Sequence, residues 1–307
     1  MECVGLGKSY GEQTALNDLN LSIQPGDAFG FIGPNGAGKT TTIRILATLA
    51  EPSAGDARVG GYSVREEPDE VRRLLGYMPD SFGVYDGMRV WEYLDFYAAA
   101  YRVPRVKRAA LIDDVLALTD LTVKKDAFVE GLSTGMKQRL CLSKTLLHDP
   151  QVLLLDEPAS GLDPRARIEL KELLRELTRM GKTLFVSSHI LPELSDFCNK
   201  VGILEAGRLL ACGEVEQILS QLSSRRHLAV KVLRQMESAR KLIESFPGAG
   251  EVREYRGALR FEFDGELEDM ALLSERLVAD GHGLVGFHEE KSDLEQIFLK
   301  VTKGTVA

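Results

Sequence analysis

The sequence predicts an α/β fold with a buried sheet, followed by a smaller α+β unit. Three observations carry this. Gly33-Pro34-Asn35-Gly36-Ala37-Gly38-Lys39-Thr40-Thr41 fits the spacing G-x-x-x-x-G-K-[ST] of a phosphate-binding loop. Val152-Leu153-Leu154-Leu155 is a continuous apolar run, as suits a parallel strand buried on both faces. After Leu228 the segments read strand, helix, strand, strand, helix, strand, the order of a ferredoxin-like domain.

The chain holds 307 residues, enough for about two domains. It carries 38 basic and 46 acidic residues, a net charge of −8, which argues against coating DNA or RNA. Cys3, Cys141, Cys198 and Cys212 form neither a CxxC pair nor a zinc spacing. Scattered thiols without a signal peptide point to a reducing cytoplasm. Phe96–Tyr101 is among the longest apolar runs and is far short of the ~20 residues of a membrane span.

In chain order, Val4–Tyr10 reads as a strand and turn, and Leu16–Ile23 alternates like a strand with one covered face. Asp27–Ile32 is a buried strand that enters the phosphate loop, and Thr41–Ala47 is the helix that leaves it. Gly55–Val64 reads as a strand pair, Glu67–Leu75 as a helix, and Gly76–Met78 as a strand stopped by Pro79. Residues 80–148 turn helical: Trp91–Tyr101, Lys107–Leu118 and Ser133–His148, with Ser133 as N-cap. Phe82, Tyr85, Trp91, Tyr93, Phe96, Tyr97 and Tyr101 crowd there, most of them expected in the core and some on a docking surface.

Arg165–Met180 is an amphipathic helix and Thr183–Val186 a buried strand followed by Ser187-Ser188-His189. Val201–Leu204 and Arg208–Cys212 form a hairpin around Ala206-Gly207, and Glu214–Leu222 a closing helix. Ser223–Arg226 reads as a linker between domains 1–222 and 227–307. The second holds strands at Leu228–Leu233, Val252–Tyr255, Leu259–Phe263 and Leu284–Glu289, with helices at Met236–Phe246, Leu267–Asp280 and Leu294–Val301. His282 and His288 lie near acids, as surface histidines often do, and are assigned no metal.

The chemistry concentrates at strand ends. Glycines in the loop let backbone N–H groups turn inward as a nest for anionic oxygens. Lys39 can reach the β- and γ-phosphates, and the Thr40 hydroxyl can sit on Mg²⁺. Asp156 closes its buried strand and can hold Mg²⁺ beside Thr40. Glu157, one residue on, can polarise the attacking water of a phosphoryl transfer.

Leu132-Ser133-Thr134-Gly135-Met136-Lys137-Gln138-Arg139-Leu140 resembles the signature motif of ABC-transporter ATPases. With Gly33–Thr41, Val152–Glu157, Ser160-Gly161-Leu162-Asp163 and Ser188-His189, five motifs stand in the family order over about 220 residues. The resemblance implies a P-loop NTPase core with a helical signature subdomain at about 80–148. It also implies a head-to-tail dimer in which ATP and Mg²⁺ lie between one phosphate loop and the Ser133 and Gly135 of a second copy, Asp163 crossing the interface. By the same resemblance His189 would hydrogen-bond the γ-phosphate. Tyr10 matches the family's adenine-stacking aromatic, and a packed strand-end tyrosine is the alternative.

Two departures stand out: Thr134 and Met136 replace the usual Gly and Gln of the signature, and Asp80 occupies the position of the family's glutamine. An acid at Asp80 can still ligate Mg²⁺ or its water. Gly76–Tyr101 is similar to the drug, antibiotic and polysaccharide exporter branch, as is the appended C-terminal module. The resemblance therefore implies the ATPase subunit of an exporter, peripheral at the cytoplasmic face of the membrane, driving a separate multi-span permease. The competing class is a soluble ATPase acting on DNA or the ribosome. Only about 90 residues separate loop and signature, without a heptad run, and one ATPase domain is present, which disfavours that class.

Overall fold

The strand that feeds the phosphate loop lies inside a six-stranded sheet, and its position there decides what the loop meets. The structure is a computed structural model that describes residues 1–81, 83, 87–190, 194, 196–215, 217–218 and 226–290. Phe82, Tyr85, the expected helix at Leu294–Val301 and most of the one at Glu214–Leu222 lie outside those residues, as does the expected linker except Arg226. The chain divides into two compact units, the first built on Met1–Val215 and the second on Glu216–Val301.

The first unit opens with β1 (Glu2–Tyr10) and β2 (Gln13–Ser22), an antiparallel pair. In β2 the buried Leu16 and Leu19 are three residues apart, not two. The extra residue is absorbed where the register shifts and Asp18 takes a φ of 57°. β3 (Ala28–Ile32) is buried at every position. The phosphate loop and α1 (Lys39–Leu46) follow, then β4 (Ala54–Val59), β5 (Tyr62–Ser63), α2 (Pro68–Leu74) and β6 (Leu75–Met78). Strands β2-β1-β4-β5 make an antiparallel sheet whose inner face shares one apolar core with α1, Phe29, Phe31 and Phe185.

Helices α3 (Val90–Ala100), α4 (Arg105–Leu118) and α5 (Thr134–Leu146) form the helical segment. The face of α3 that turns inward holds Val90, Tyr93, Leu94 and Ala98. Trp91, Phe96 and Tyr101 are 38%, 50% and 39% exposed. The expectation that most of these aromatics are core is thus corrected: among the described ones only Tyr93 is fully buried, because an apolar helix of three turns has one inward face and cannot bury all sides.

β7 (Val152–Asp156), α6 (Pro164–Arg179), β8 (Thr183–Ser188), β9 (Lys200–Glu205) and β10 (Arg208–Glu214) complete the unit. The sheet order is β10-β9-β3-β8-β7-β6, parallel except for β10. Parallel neighbours end on the same edge. The residues following β3, β6, β7 and β8 therefore meet there, at the carboxyl ends where open α/β sheets bind ligands. At the opposite edge Asp27 accepts from Asn199 Nδ2 at 2.8 Å and Lys200 Nζ at 2.9 Å. Burial works against its charge, but these hydrogen bonds win and hold the carboxyl below its usual range. They tie the start of β3 to β9.

The second unit runs β11 (Arg226–Val232), α7 (Met236–Glu244), β12 (Arg253–Tyr255), β13 (Ala258–Phe263), α8 (Leu267–Ala279) and β14 (Leu284–Glu290). The strand order β12-β13-β11-β14 is antiparallel throughout, the split βαββαβ arrangement expected. Arg226, read from sequence as linker, already pairs with Phe263 in the sheet. Alternating Leu259, Phe261 and Phe263 pack with Leu228, Val230, Ala239, Ile243, Leu273 and Leu277. His282 is buried at 2% exposure, not superficial, since it follows the close of α8 and its carbonyl caps Arg234 N–H. Among the described residues, no helix is long and apolar enough to cross a membrane.

Candidate active site

The phosphate loop cannot carry side chains at its two ends. A Cβ on Gly33 would lie 2.4 Å from the Leu204 carbonyl oxygen, and one on Gly38 would lie 2.6 Å from that of Ala15. Gly38 also has a φ of 107° as the N-cap of α1, which only glycine adopts cheaply. The loop thus packs its backbone directly against β2 and β9 and leaves a free helix N-terminus facing a pocket.

That pocket, of about 480 Å³, is lined by Pro34, Asn35, Gly36, Ala37, Gly38, Lys39, Thr40 and Thr41 from the loop. Tyr10, Asp80, Glu157 and His189 reach it from four other segments. Ser160, which opens the Ser160–Asp163 motif, also lines it, as do Gln13 and Ala15, which were not singled out in the sequence. Tyr10 is 48% exposed, with Lys8 Nζ 4.9 Å from its ring centroid, so it stands at the pocket mouth and is not packed in a core.

Lys39 is 6% exposed. Its Nζ donates to the Gly33 carbonyl at 2.7 Å and the Pro34 carbonyl at 3.3 Å, and lies 3.5 Å from Glu157 Oε1. Burial lowers the Lys39 pKa, while the charges of Glu157 and Asp156 oppose that shift. The other oxygen of Glu157 lies 2.8 Å from His189 Nδ1. A cation, a carboxylate and an imidazole therefore form one chain across the pocket floor.

Beneath it, Asp156 is fully buried. Its Oδ1 accepts from the Ser187 hydroxyl at 2.6 Å, and its Oδ2 has no hydrogen-bond partner. Burial raises the Asp156 pKa; the Ser187 and Thr40 hydroxyls oppose the shift, and the charges of Asp80 and Glu157 add to it. Asp80 is exposed at the rim, its carboxylate accepting from the Ser81 amide at 2.8 Å. Sequence reasoning passed over Ser187. A polar residue ending a fully buried strand was the available signal.

Ser133, Gly135 and Asp163 do not join this pocket. Ser133 caps α5, its Oγ accepting from the Met136 amide at 3.3 Å, as expected of an N-cap. Asp163 caps α6, accepting from the Ala166 amide at 2.9 Å. The two helix starts are bound together. A Cβ on Gly135 would lie 3.2 Å from that of Ala166, Arg139 pairs with Glu169, and buried Gln138 donates to the Pro158 carbonyl at 2.6 Å.

Comparison with known proteins agrees with this geometry. A family model described as "ABC transporter" matches residues 16–160. The linearmycin resistance ATP-binding protein LnrL of Bacillus subtilis is 27% identical over 100% of this chain and 99% of its own. The Nod factor export ATP-binding protein I of Rhizobium meliloti is 32% identical over 98% of this chain and 88% of its own, and that of Paraburkholderia xenovorans is 37% identical over 69% and 70%. Among solved structures, an "ATP binding subunit of ABC transporter" aligns with a TM-score of 0.65 at 31% identity, covering 72% of this chain and 92% of that one.

Proposed function

Because the chain belongs to the ATP-binding proteins of ABC transporters, we propose that this pocket binds and hydrolyses ATP as the motor of an exporter. The observation that carries the reading is the single pocket edge on which the phosphate loop, Asp80, Glu157 and His189 meet. Inward N–H groups of the loop and the N-terminus of α1 suit phosphate oxygens. Lys39, now held by two loop carbonyls and Glu157, would turn to the β- and γ-phosphates. Glu157, so released, would accept the proton of the attacking water. His189 would hold the γ-phosphate, and Tyr10 would stack on adenine.

The residues present fit Mg²⁺. Asp156 Oδ2 is buried without a partner beside the Thr40 hydroxyl, and Asp80 adds a third oxygen donor nearby. When bound, the cation neutralises charge on the β- and γ-phosphate oxygens. Ser133, Gly135 and Asp163 point to a second copy of the chain, because they sit at helix N-termini away from their own pocket. A separate multi-span membrane protein would dock near Asp80–Tyr101, where Trp91 and Phe96 are exposed, and would hold the chain at the cytoplasmic face of the membrane. Affinity capture from detergent-solubilised membranes should bring down such a permease; co-sedimentation with ribosomes in its place would overturn the exporter reading.

A test of the metal role follows from the buried Asp156. Its folded pKa is raised, so its contribution to stability is full below the ordinary carboxylate value of 3.8 and is lost as pH rises through the raised value. Above that range the fold holds the cation-free carboxylate less favourably than the unfolded chain does. Asp156→Asn should therefore melt a few degrees higher than the parent in chelator at pH 7. It should lose Mg²⁺-dependent ATP hydrolysis by about 10²-fold or more. The melting advantage should vanish on acidification. A variant that melts lower at pH 7, or hydrolyses ATP at the parental rate, would remove Asp156 from the metal site.

A further inference from the structure

The proposed water-activating carboxylate belongs to a residue in an unfavourable backbone conformation. Glu157 has a φ of 49°, in the left-handed region that non-glycine residues avoid. It stands one residue past the end of β7, beyond the parallel ladder, whose last register pair is Asp156 with Ser187. What receives its N–H is a side chain: the Glu157 amide donates to Ser187 Oγ at 2.9 Å.

Ser187 Oγ in turn donates to Asp156 Oδ1 at 2.6 Å. A hydroxyl has one proton and two lone pairs. Spending the proton on the carboxylate and a lone pair on the amide fixes its rotation. The residue is fully buried at the carboxyl end of β8, a strand whose other positions include Leu184, Phe185 and Val186. An apolar β-branched residue would suit such a strand better, so the hydroxyl needs another reason to be there.

We infer that Ser187 is a positioning residue for hydrolysis: it clamps the Asp156 carboxylate to the Glu157 amide and so aims the Glu157 side chain between Lys39 and His189. Without the clamp, the Glu157 peptide is free to leave the left-handed region, and its carboxylate swings from the water it must deprotonate. The phosphate loop and Lys39, which carry the direct phosphate contacts in this reading, receive no hydrogen bond from Ser187; the residue touches the proposed metal ligand Asp156 only through the oxygen that does not face the cation. The inference rests on Glu157 being the base.

The experiment measures kcat, KM and ATP dissociation constants for Ser187→Ala, Ser187→Cys and Ser187→Thr, alone and with Glu157→Gln. Melting temperatures report folding. Alanine and cysteine should lower kcat by about tenfold to a hundredfold with the ATP dissociation constant within about threefold, because a lost transition-state alignment acts on kcat. Threonine, which keeps the hydroxyl, should recover kcat to within a few-fold. In the Glu157→Gln background the alanine change should cost no further activity, since both act through one group. Retention of parental kcat by the cysteine variant would overturn the inference. So would equal, additive losses with and without Glu157→Gln. Should Glu157→Gln itself hydrolyse ATP at the parental rate, the reading of Glu157 fails first, and the two failures are thereby told apart.

Discussion

Glu157→Gln should hold ATP and scarcely hydrolyse it. General-base assistance contributes about 10²–10⁴-fold to such reactions, and glutamine keeps the size of glutamate while removing its basicity. The substitution also removes the charge that Lys39 meets at 3.5 Å, while the hydrogen-bond acceptor facing His189 remains. Lys39 then has less to hold it away from incoming phosphates, so ATP affinity should be equal or greater. The variant should accumulate as an ATP-bound dimer, seen by size-exclusion chromatography or light scattering with ATP present. Single-turnover hydrolysis is the deciding measurement. A rate within a few-fold of the parent would mean that the water is activated elsewhere, with His189 and Asp80 the other bases lining the pocket.

Two inactive variants should restore activity when mixed. Lys39→Ala disables the phosphate loop. Ser133→Asp keeps an N-capping oxygen on α5 and places a negative charge where a partner's γ-phosphate would lie. Each alone should hydrolyse ATP about 10²-fold or more slowly than the parent, the scale of losing one charge-stabilising group. In a head-to-tail pair built from one copy of each, one site combines both lesions and the other combines neither. Random pairing of equal amounts then gives about a quarter of the parental rate by mass action. A mixture no faster than its components would show that each chain completes its own site. The outcome bears directly on why Ser133, Gly135 and Asp163 sit outside the pocket.

Motifs that lie in one short stretch were legible in the sequence. The loop Gly33–Thr41, the Asp156-Glu157 pair and the Ser133 cap are each set by neighbours within a few residues, so residue type and spacing carry them. The βαββαβ order of the second unit was readable for the same reason, because alternation marks strands one at a time. Pairings across the fold were not. That Ser187 faces Asp156 depends on β7 and β8 being adjacent and in a given register, which no local pattern states. The Lys39–Glu157 contact likewise needs two segments 118 positions apart to meet on one sheet edge. The exposure of Trp91 and Phe96 was hidden by α3 itself: residues apolar on nearly every side do not mark which face turns inward. His282 was misjudged because a histidine near acids carries no sign that the turn it occupies folds back onto Arg234 and is buried.

The left-handed backbone at Glu157 also bears on how such a chain changes over generations. A non-glycine residue there costs about 1–2 kcal/mol, a notable part of a typical folding margin. Selection for endurance alone would drift this position toward glycine, which takes up the conformation without strain. Where relief of that strain outweighs the lost partner of buried Lys39, each such drift yields a sturdier chain that cannot turn over. Libraries screened for heat resistance should therefore enrich Glu157→Gly, and libraries screened for work should discard it. The residue marks a place where robustness and purpose pull the sequence in opposite directions.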